Sequence, residues 1–533
     1  MPSLAANVTV IPETISPFVP GFGSNYLFGL CLTLSLGLIF LSRAPMISRE
    51  PSYPIVTLER DANDSNTAEE DFRLRGNEIL ERGRAEYPGQ PFWVHSDDGD
   101  LLILPGRLAN DMRNVDELSF MEALKERLHA SLPGFEPFQA SSRGDQLVQA
   151  VTRKQLTKAL NKVTRPLSDE TAYAVDLRFG RSTEWTEHHL YTEILDIVAR
   201  ISARVFLGEH VCRNQDWLDI TKSYTVQCFK AASALRQKPP SLRFLLHWFD
   251  TSCRKVRSYV TKARQIIAPV IHRRQELRRE ALARGDPLPT LNDAIDWFEE
   301  EAGGKPYDPE IVQLTLSMLA IHTTTDLLCE TMTNIARNPE LFTQLREEIS
   351  RVLKAEGWVK TSLYNLRLLD SVVKESQRLK PLNSVSQLRK VTSSVTLPDG
   401  TFLPKGIRVA CDAGLRLSDA YYPEPLRFDG ARHLTWRSMP DKKTSAHLVS
   451  TSPESMGFGH GQHSCPGRFF AANEIKVALC HLLMKYDWKL SEGCKPEVQK
   501  KGLVLNTDPK TKIMMRRREQ VELDIDDLCT TRF

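Results

Sequence analysis

The chain has 533 residues, enough to bury a large core, and its 70 basic and 67 acidic residues nearly cancel, which argues against a nucleic-acid binder by composition. Its ten cysteines are scattered, with no C-x-x-C pair and no C-x-x-C-H. That argues against a disulfide scaffold, a zinc ribbon and covalently attached c-type haem, and it fits a reduced, cytosol-facing catalytic body.

The N-terminus departs from this soluble character. Phe18 to Leu41 carries no charge, and Tyr26 to Leu41 is almost wholly apolar. That apolar core is short of the roughly 20 residues a bilayer requires, and the flank from Phe18 extends it. No Lys or Arg precedes it, while Arg43 and Arg49 follow, so the positive-inside rule puts residues 1–17 in the lumen and the body in the cytosol. A cleaved signal peptide would have a basic start, which is missing. The expectation is one membrane anchor helix over 18–42. Pro45, Pro51 and Pro54 make 43–62 a stiff linker, and the polar, acidic run from Asp61 to Asp71 reads as a loop.

Two short strands are expected between Pro91 and Leu104, around the turn Ser96-Asp97-Asp98-Gly99-Asp100. From about Asp116 the pattern is mainly helical. Asp308-Pro309 is a helix start, with Asp as N-cap and Pro in the first position, and that helix extends to about Arg337. Asn338-Pro339-Glu340 restarts a helix towards Leu353, and another is expected from Ser362 to Leu379, stopped by Pro381. Strands return at Val391–Leu397 and Thr401–Val409 around Pro398-Asp399-Gly400, and residues after Arg518 read as an exposed tail, 519–533. The order gives one large, mainly α domain with a minor β part.

Four segments carry chemistry. The first is Phe458-Gly459-His460-Gly461-Gln462-His463-Ser464-Cys465-Pro466-Gly467-Arg468, a glycine-rich loop that enters a helix. A thiolate there sits at the positive end of the helix dipole, and Gly459, Gly461 and Gly467 permit tight turns and close approach to a flat ligand. On the residues alone, a buried structural cysteine and a zinc corner built from His460, His463 and Cys465 both stay open. Downstream, Ala472, Ile475, Leu479 and Leu482 share one core-facing side.

The second segment holds Glu375 and Arg378, spaced to pair on one helix. Further on, Arg427 and Arg432 compete to join them. The third is Leu319-Ala320-Ile321-His322-Thr323-Thr324-Thr325-Asp326, with three threonines where helix propensity disfavours them. Their hydroxyls can bond carbonyls one turn back, so a tolerated polar patch is as open as a function. The fourth holds Arg153 with Lys154, Lys158 and Lys162, a stripe that is either a solvated face or a docking face for an acidic partner.

Together these segments resemble the cytochrome P450 family. Phe458, Gly461, His463, Cys465 and Gly467 match its haem loop, F-x-x-G-x-[RH]-x-C-x-G; Glu375 and Arg378 match its E-x-x-R. The resemblance implies the cytochrome P450 fold over 63–518, and one haem b whose iron is held by Cys465, with Phe458, Gly459, His463, Gly467 and Ala320 around it. Arg153, Arg389 and His463 take propionate-contacting positions, with Gln149 where the family often has tryptophan. Glu375, Arg378 and Arg432 form a structural triad, with Arg427 as the fallback. Thr323 takes the place of the threonine that helps deliver protons to oxygen, and His322 replaces the usual acid; a histidine can still relay protons.

The implied reaction is insertion of one atom of O2 into a lipophilic substrate taken from the membrane. No convincing G-x-G-x-x-G opens a flavin domain, so electrons come from elsewhere. The resemblance implies the membrane-bound NADPH–cytochrome P450 reductase, with cytochrome b5 as a second candidate donor, and places the chain at the endoplasmic reticulum membrane as a single-pass protein. The wording A-I-H-T-T and G-H-G-Q-H-S-C-P-G-R-F-F-A is most similar to fungal members of secondary metabolism, the ent-kaurene oxidase-like and indole-diterpene oxidase-like groups. A terpenoid or related polycycle follows as substrate, with Leu316, Ala320, Thr324, Asn383, Val385 and Leu505 as contacts. Two other readings stay open: a haem-thiolate isomerase or dehydratase that needs no reductase, and a non-catalytic haem-binding protein.

Overall fold

The computed structural model describes residues 53–58 and 67–529. The anchor expected over 18–42 lies outside the described residues. Among them one helix is long and apolar enough to cross a membrane, Pro309–Arg337, and most of it is packed inside the body.

Six helices frame the site: α1 (Thr157–Phe179), α2 (Leu190–Cys212), α3 (Gln215–Arg236), α4 (Pro309–Arg337), α5 (Arg367–Leu379) and α6 (Arg468–Lys485). α4 is the axis and packs on α2, α3, α5 and α6. It starts where the sequence predicts, because the Asp308 carboxylate accepts from the Ile311 amide at 3.0 Å and Pro309 needs no partner for a missing N–H. The single helix expected from Ser362 to Leu379 is two, Lys360–Asn365 and α5, broken at Leu366. The carboxylate of Glu348 accepts from the amides of Leu368 and Leu369 at 2.8 and 3.0 Å and so caps a fresh N-terminus.

The minor β part includes a five-stranded sheet of β1 (Phe92–Ser96), β2 (Gly99–Leu104), β3 (Leu118–Ser119), β4 (Val385–Val391) and β5 (Arg408–Asp412), in the order β1-β2-β5-β4-β3. The expected hairpin is β1 and β2, antiparallel from Phe92↔Ile103 to Ser96↔Gly99. The later strands differ. β4 precedes the expected Val391–Leu397, and only Val395–Thr396 and Phe402–Leu403 pair around the Pro398-Asp399-Gly400 turn. A bulge between Ser386 and Arg389, where Gln387 has φ +50°, breaks the alternation that would have revealed β4.

Three boundary expectations are corrected. Within the 43–62 linker, residues 53–58 dock on the sheet: the Val56 amide donates to the Trp93 carbonyl at 2.9 Å, and Val56 is buried. Within the loop expected from Asp61 to Asp71, residues from Ala68 onward are helical, in a helix over Ala68–Glu86 capped by the Thr67 hydroxyl. The tail after Arg518 folds back: Ile525 is buried, and its carbonyl accepts from the Trp358 indole at 3.1 Å.

Candidate active site

The loop before α6 is shaped by backbone. Gly459 and Gly461 have φ +70° and +77°, and a side chain at Gly461 would collide with Arg113, whose Cβ lies 2.5 Å from the ideal Cβ position. Gly467, with φ −89°, adopts a backbone open to any residue. The Cys465 amide donates to the Phe458 carbonyl at 2.8 Å and closes the turn. Of the described cysteines only Cys465 and Cys494 are not fully buried. Burial pushes the Cys465 thiol up, against the amides of Gly467 and Arg468 and the Arg468 guanidinium, which favour the thiolate. The helix terminus alone therefore does not ionise this sulfur; a cation bound to it would. His460 leaves the zinc corner, since its ring meets Asn110 Oδ1 at 2.9 Å and Thr451 Oγ1 at 3.2 Å.

Beside the loop three basic groups converge. Burial, then the Arg389 and Arg153 guanidinium groups, push His463 down to about 4. Arg389 is buried in β4, donates to the Leu388 carbonyl at 2.8 Å, lies over the Phe120 ring, and is pushed down to about 10 by burial. None of the three has a carboxylate partner among the described residues. Gln149 does not join them: its amide donates to the Ser141 carbonyl at 2.6 Å.

Behind this layer Glu375 accepts from Arg378 at 2.7 and 2.8 Å and from Arg432 at 3.0 Å. Arg427 instead pairs with Glu424 on the surface, so the competition resolves to Arg432. His433 is a fourth member, 3.3 Å from Glu375. Burial would raise Glu375, but the bonds from Arg378 and His433 bring it down to about 2.

The third part of the candidate site is α4, buried along most of its length. Leu319 is 47% exposed there, Ala320 half-buried and Thr323 exposed, and at i, i+1 and i+4 they form one open face. Thr323 Oγ1 makes only long bonds to the Leu319 and Ala320 carbonyls, 3.2 and 3.4 Å, which leaves its proton easy to redirect. His322 does not share this face. Its Nε2–H donates to the Lys222 carbonyl of α3 at 2.9 Å, and its Nδ1 accepts from the Tyr191 hydroxyl of α2 at 3.2 Å. With burial lowering its pKa, it is a neutral clamp between helices. Both ring nitrogens are occupied, which corrects the relay expected of it.

Among the expected substrate contacts, Leu316 is buried one turn before Ala320. Thr324 is buried and does not share the open face, a second correction. The segments holding Asn383, Val385 and Leu505 do come together: Asn383 bridges Val504, and the Leu505 amide donates to the Leu382 carbonyl at 2.8 Å. They are tied to α4 by a buried group the sequence did not reveal, in which Lys380 pairs with Asp326 and donates to Thr507 Oγ1 at 3.0 Å. Lys154 of the basic stripe pairs with Glu301 at 2.6 Å and Lys162 donates to Asn292, so of its lysines Lys158 is the exposed cation these contacts leave out.

The family model for cytochrome P450 matches residues 147–515. The chain belongs to the cytochrome P450 family. It is 42% identical to the cytochrome P450 monooxygenase hepE of Aspergillus oryzae, over 92% of this chain and 90% of that protein. With the monooxygenase eqxH of Fusarium heterosporum it shares 40% identity over 95% and 98%. A retinoic acid-bound cyanobacterial cytochrome P450, CYP120A1, superposes with TM-score 0.63 over 87% of this chain and 99% of that one; at 16% identity the likeness is one of fold. This cytochrome P450 is thus a monooxygenase whose cofactor is a haem with a cysteine thiolate on iron. The residues fit that group: a half-buried cysteine at a helix start, three basic groups without acids beside it, and an open face on α4.

Proposed function

We propose that Cys465 is the iron ligand, that Arg153 and Arg389 neutralise the haem propionates while the His463 ring N–H donates a hydrogen bond to them, and that Thr323 handles the proton at the oxygen side. The observation that carries this is the open Leu319–Ala320–Thr323 face in an otherwise buried helix. Leu319 and Ala320 supply an apolar wall that excludes water and accepts a lipophilic substrate, and the Thr323 hydroxyl is the polar atom on that wall. When bound, the haem supplies the redox centre at which O2 is reduced and the substrate C–H or C=C bond is oxidised. The overall change, RH + O2 + NADPH + H+ → ROH + H2O + NADP+, draws its electrons from an NADPH-dependent flavoprotein reductase, and Lys158 is the free cation of the docking stripe.

The substrate we infer is a terpenoid or related polycycle of fungal secondary metabolism. It enters from the endoplasmic reticulum membrane, where residues 18–42 anchor a cytosolic body over 63–518. Asn383, Val385 and Leu505 face it from the segments joined to α4 through Lys380 and Asp326. The test is a reduced, CO-bound spectrum followed by turnover with NADPH and reductase. Cys465→Ala abolishes both the thiolate spectrum and turnover. Full activity on a peroxide with no reductase overturns the monooxygenase reaction, and a thiolate spectrum surviving in Cys465→Ala overturns the ligand.

A further inference from the structure

The groove along the open face of α4 has an end. Asp326 follows Leu319 by seven residues and Thr323 by three, so it continues the same stripe of the helix. Yet it is buried, as is every residue from Thr324 to Ile335. Thr507 covers it: the Thr507 amide donates to Asp326 Oδ1 at 2.8 Å, and its hydroxyl donates to the Asp326 carbonyl at 3.1 Å. Lys380, just past the end of α5, pairs with Asp326 Oδ2 and donates to Thr507 Oγ1 at 3.0 Å. All three side chains are buried.

Residues 502–507 form a strap that is also held at its other end. The Gly502 amide donates to the Arg73 carbonyl of the Ala68–Glu86 helix at 2.8 Å, and the Gly502 carbonyl accepts from Asn77 Nδ2 at 2.7 Å. A Cβ at Gly76 would lie 2.8 Å from the Gly502 carbonyl carbon, so helix and strap touch backbone to backbone. Between the ends, the Ser384 amide donates to the Leu503 carbonyl at 2.9 Å, and the Leu505 amide donates to the Leu382 carbonyl at 2.8 Å.

A buried ion pair is a poor way to gain stability, because desolvation offsets the attraction and apolar residues of similar volume do as well. What apolar residues do not supply is a fixed direction and length. Two hydrogen bonds from Thr507 and two from Lys380 meet at one point and set the strap's distance from α4.

We propose that Lys380 and Asp326 are positioning residues that hold the strap as the end wall of the groove. The wall's distance sets how long an apolar substrate the groove takes and which of its carbons is oxidised. The role rests on the substrate wall proposed above, and both residues act through Thr507.

The test uses the full chain with its haem, and its first reading needs neither haem nor turnover. Hydrogen exchange over residues 503–507 is slow in wild type. It speeds up severalfold in Thr507→Val, which keeps the volume and removes both hydroxyl bonds. The second reading is a ruler of 1-alkylimidazoles, whose ring binds the iron and whose chain is lengthened one methylene at a time. Each buried methylene raises affinity about fourfold until the chain meets a wall. In ligand difference spectra wild type shows a sharp length limit, and both Thr507→Val and the double variant Lys380→Met/Asp326→Leu move it to longer chains. The double variant removes both charges together and keeps its thermal midpoint near wild type, which separates position from stability. A folded double variant with the wild-type limit overturns the proposal, as does a wild type whose affinity keeps rising through the series. Where the double variant does not fold, Thr507→Val decides: unchanged exchange or an unmoved limit overturns the proposal. Absence of the thiolate spectrum in wild type instead defeats the monooxygenase reading, and the exchange rates still report on the strap.

Discussion

The Cys465 loop and the Thr323 face of α4, proposed above as the two sides of the haem site, are built in different ways. The loop fixes its sulfur by backbone: two left-handed glycines, a closing amide, and a Glu375 cluster behind it in which every bond is charge-assisted. The groove keeps a regular helix and acts through side chains with weak or displaced partners, such as Thr323 with its long bonds and His322 turned to neighbouring helices. The first arrangement tolerates little change before the fold fails. The second can be altered in chemistry while the fold stands.

The largest expected effect is therefore on the loop side. Glu375→Ala leaves the Arg378 and Arg432 guanidinium groups buried without their carboxylate, at a cost of about 3–5 kcal/mol, a large share of a typical domain's stability. Soluble yield and CO-bound spectrum should both collapse. Cys465→Ala, in contrast, should give folded protein with no thiolate spectrum. Next comes the groove: Thr323→Ala removes an exposed hydroxyl from a helix, so stability should hold or rise by about 0.5 kcal/mol. Product per NADPH should fall severalfold as peroxide rises. A large loss of stability in Thr323→Ala would break the contrast between the two regions.

Acid titration sharpens it further. Glu375 is held at about 2 in the fold against an ordinary 4.5, so its contribution is complete above 4.5 and is lost as pH falls towards 2. His433 beside it is pushed down to about 4 from 6.5, by burial first. The unfolded chain then binds the extra proton between those values, and stability declines as pH falls from 6.5 to about 4. His129 shares that window. His433→Phe should flatten only its share of the slope in a thermal-midpoint profile, and an unchanged slope would mean that His433 is already charged in the fold.

Sequence reached the loop side well because its signals are local. The Glu375–Arg378 spacing, the Asp308-Pro309 start and the glycines around Cys465 are each written within a few residues, and spacing from Phe428 selects Arg432 over Arg427. The groove's partners are distant. Asp326 meets Lys380 and Thr507 at separations of 54 and 181 residues. The direction of His322 was hidden for the same reason, since α2 and α3 set it.

His322 gives the smallest expected effect on turnover and the sharpest separation of position from role. Its ring satisfies the Lys222 carbonyl and the Tyr191 hydroxyl, which lie on two helices packed against α4. His322→Phe keeps the volume and removes both bonds, at about 1 kcal/mol each, so the thermal midpoint should drop. Coupling of NADPH to product should stay near wild type, because neither bond reaches the open Leu319–Ala320–Thr323 face. A loss of coupling as large as that of Thr323→Ala, with the fold intact, would restore His322 to the proton path. It would also show that the helix interface and the groove are one unit, because α4 could then turn its 322 side chain inward when substrate binds.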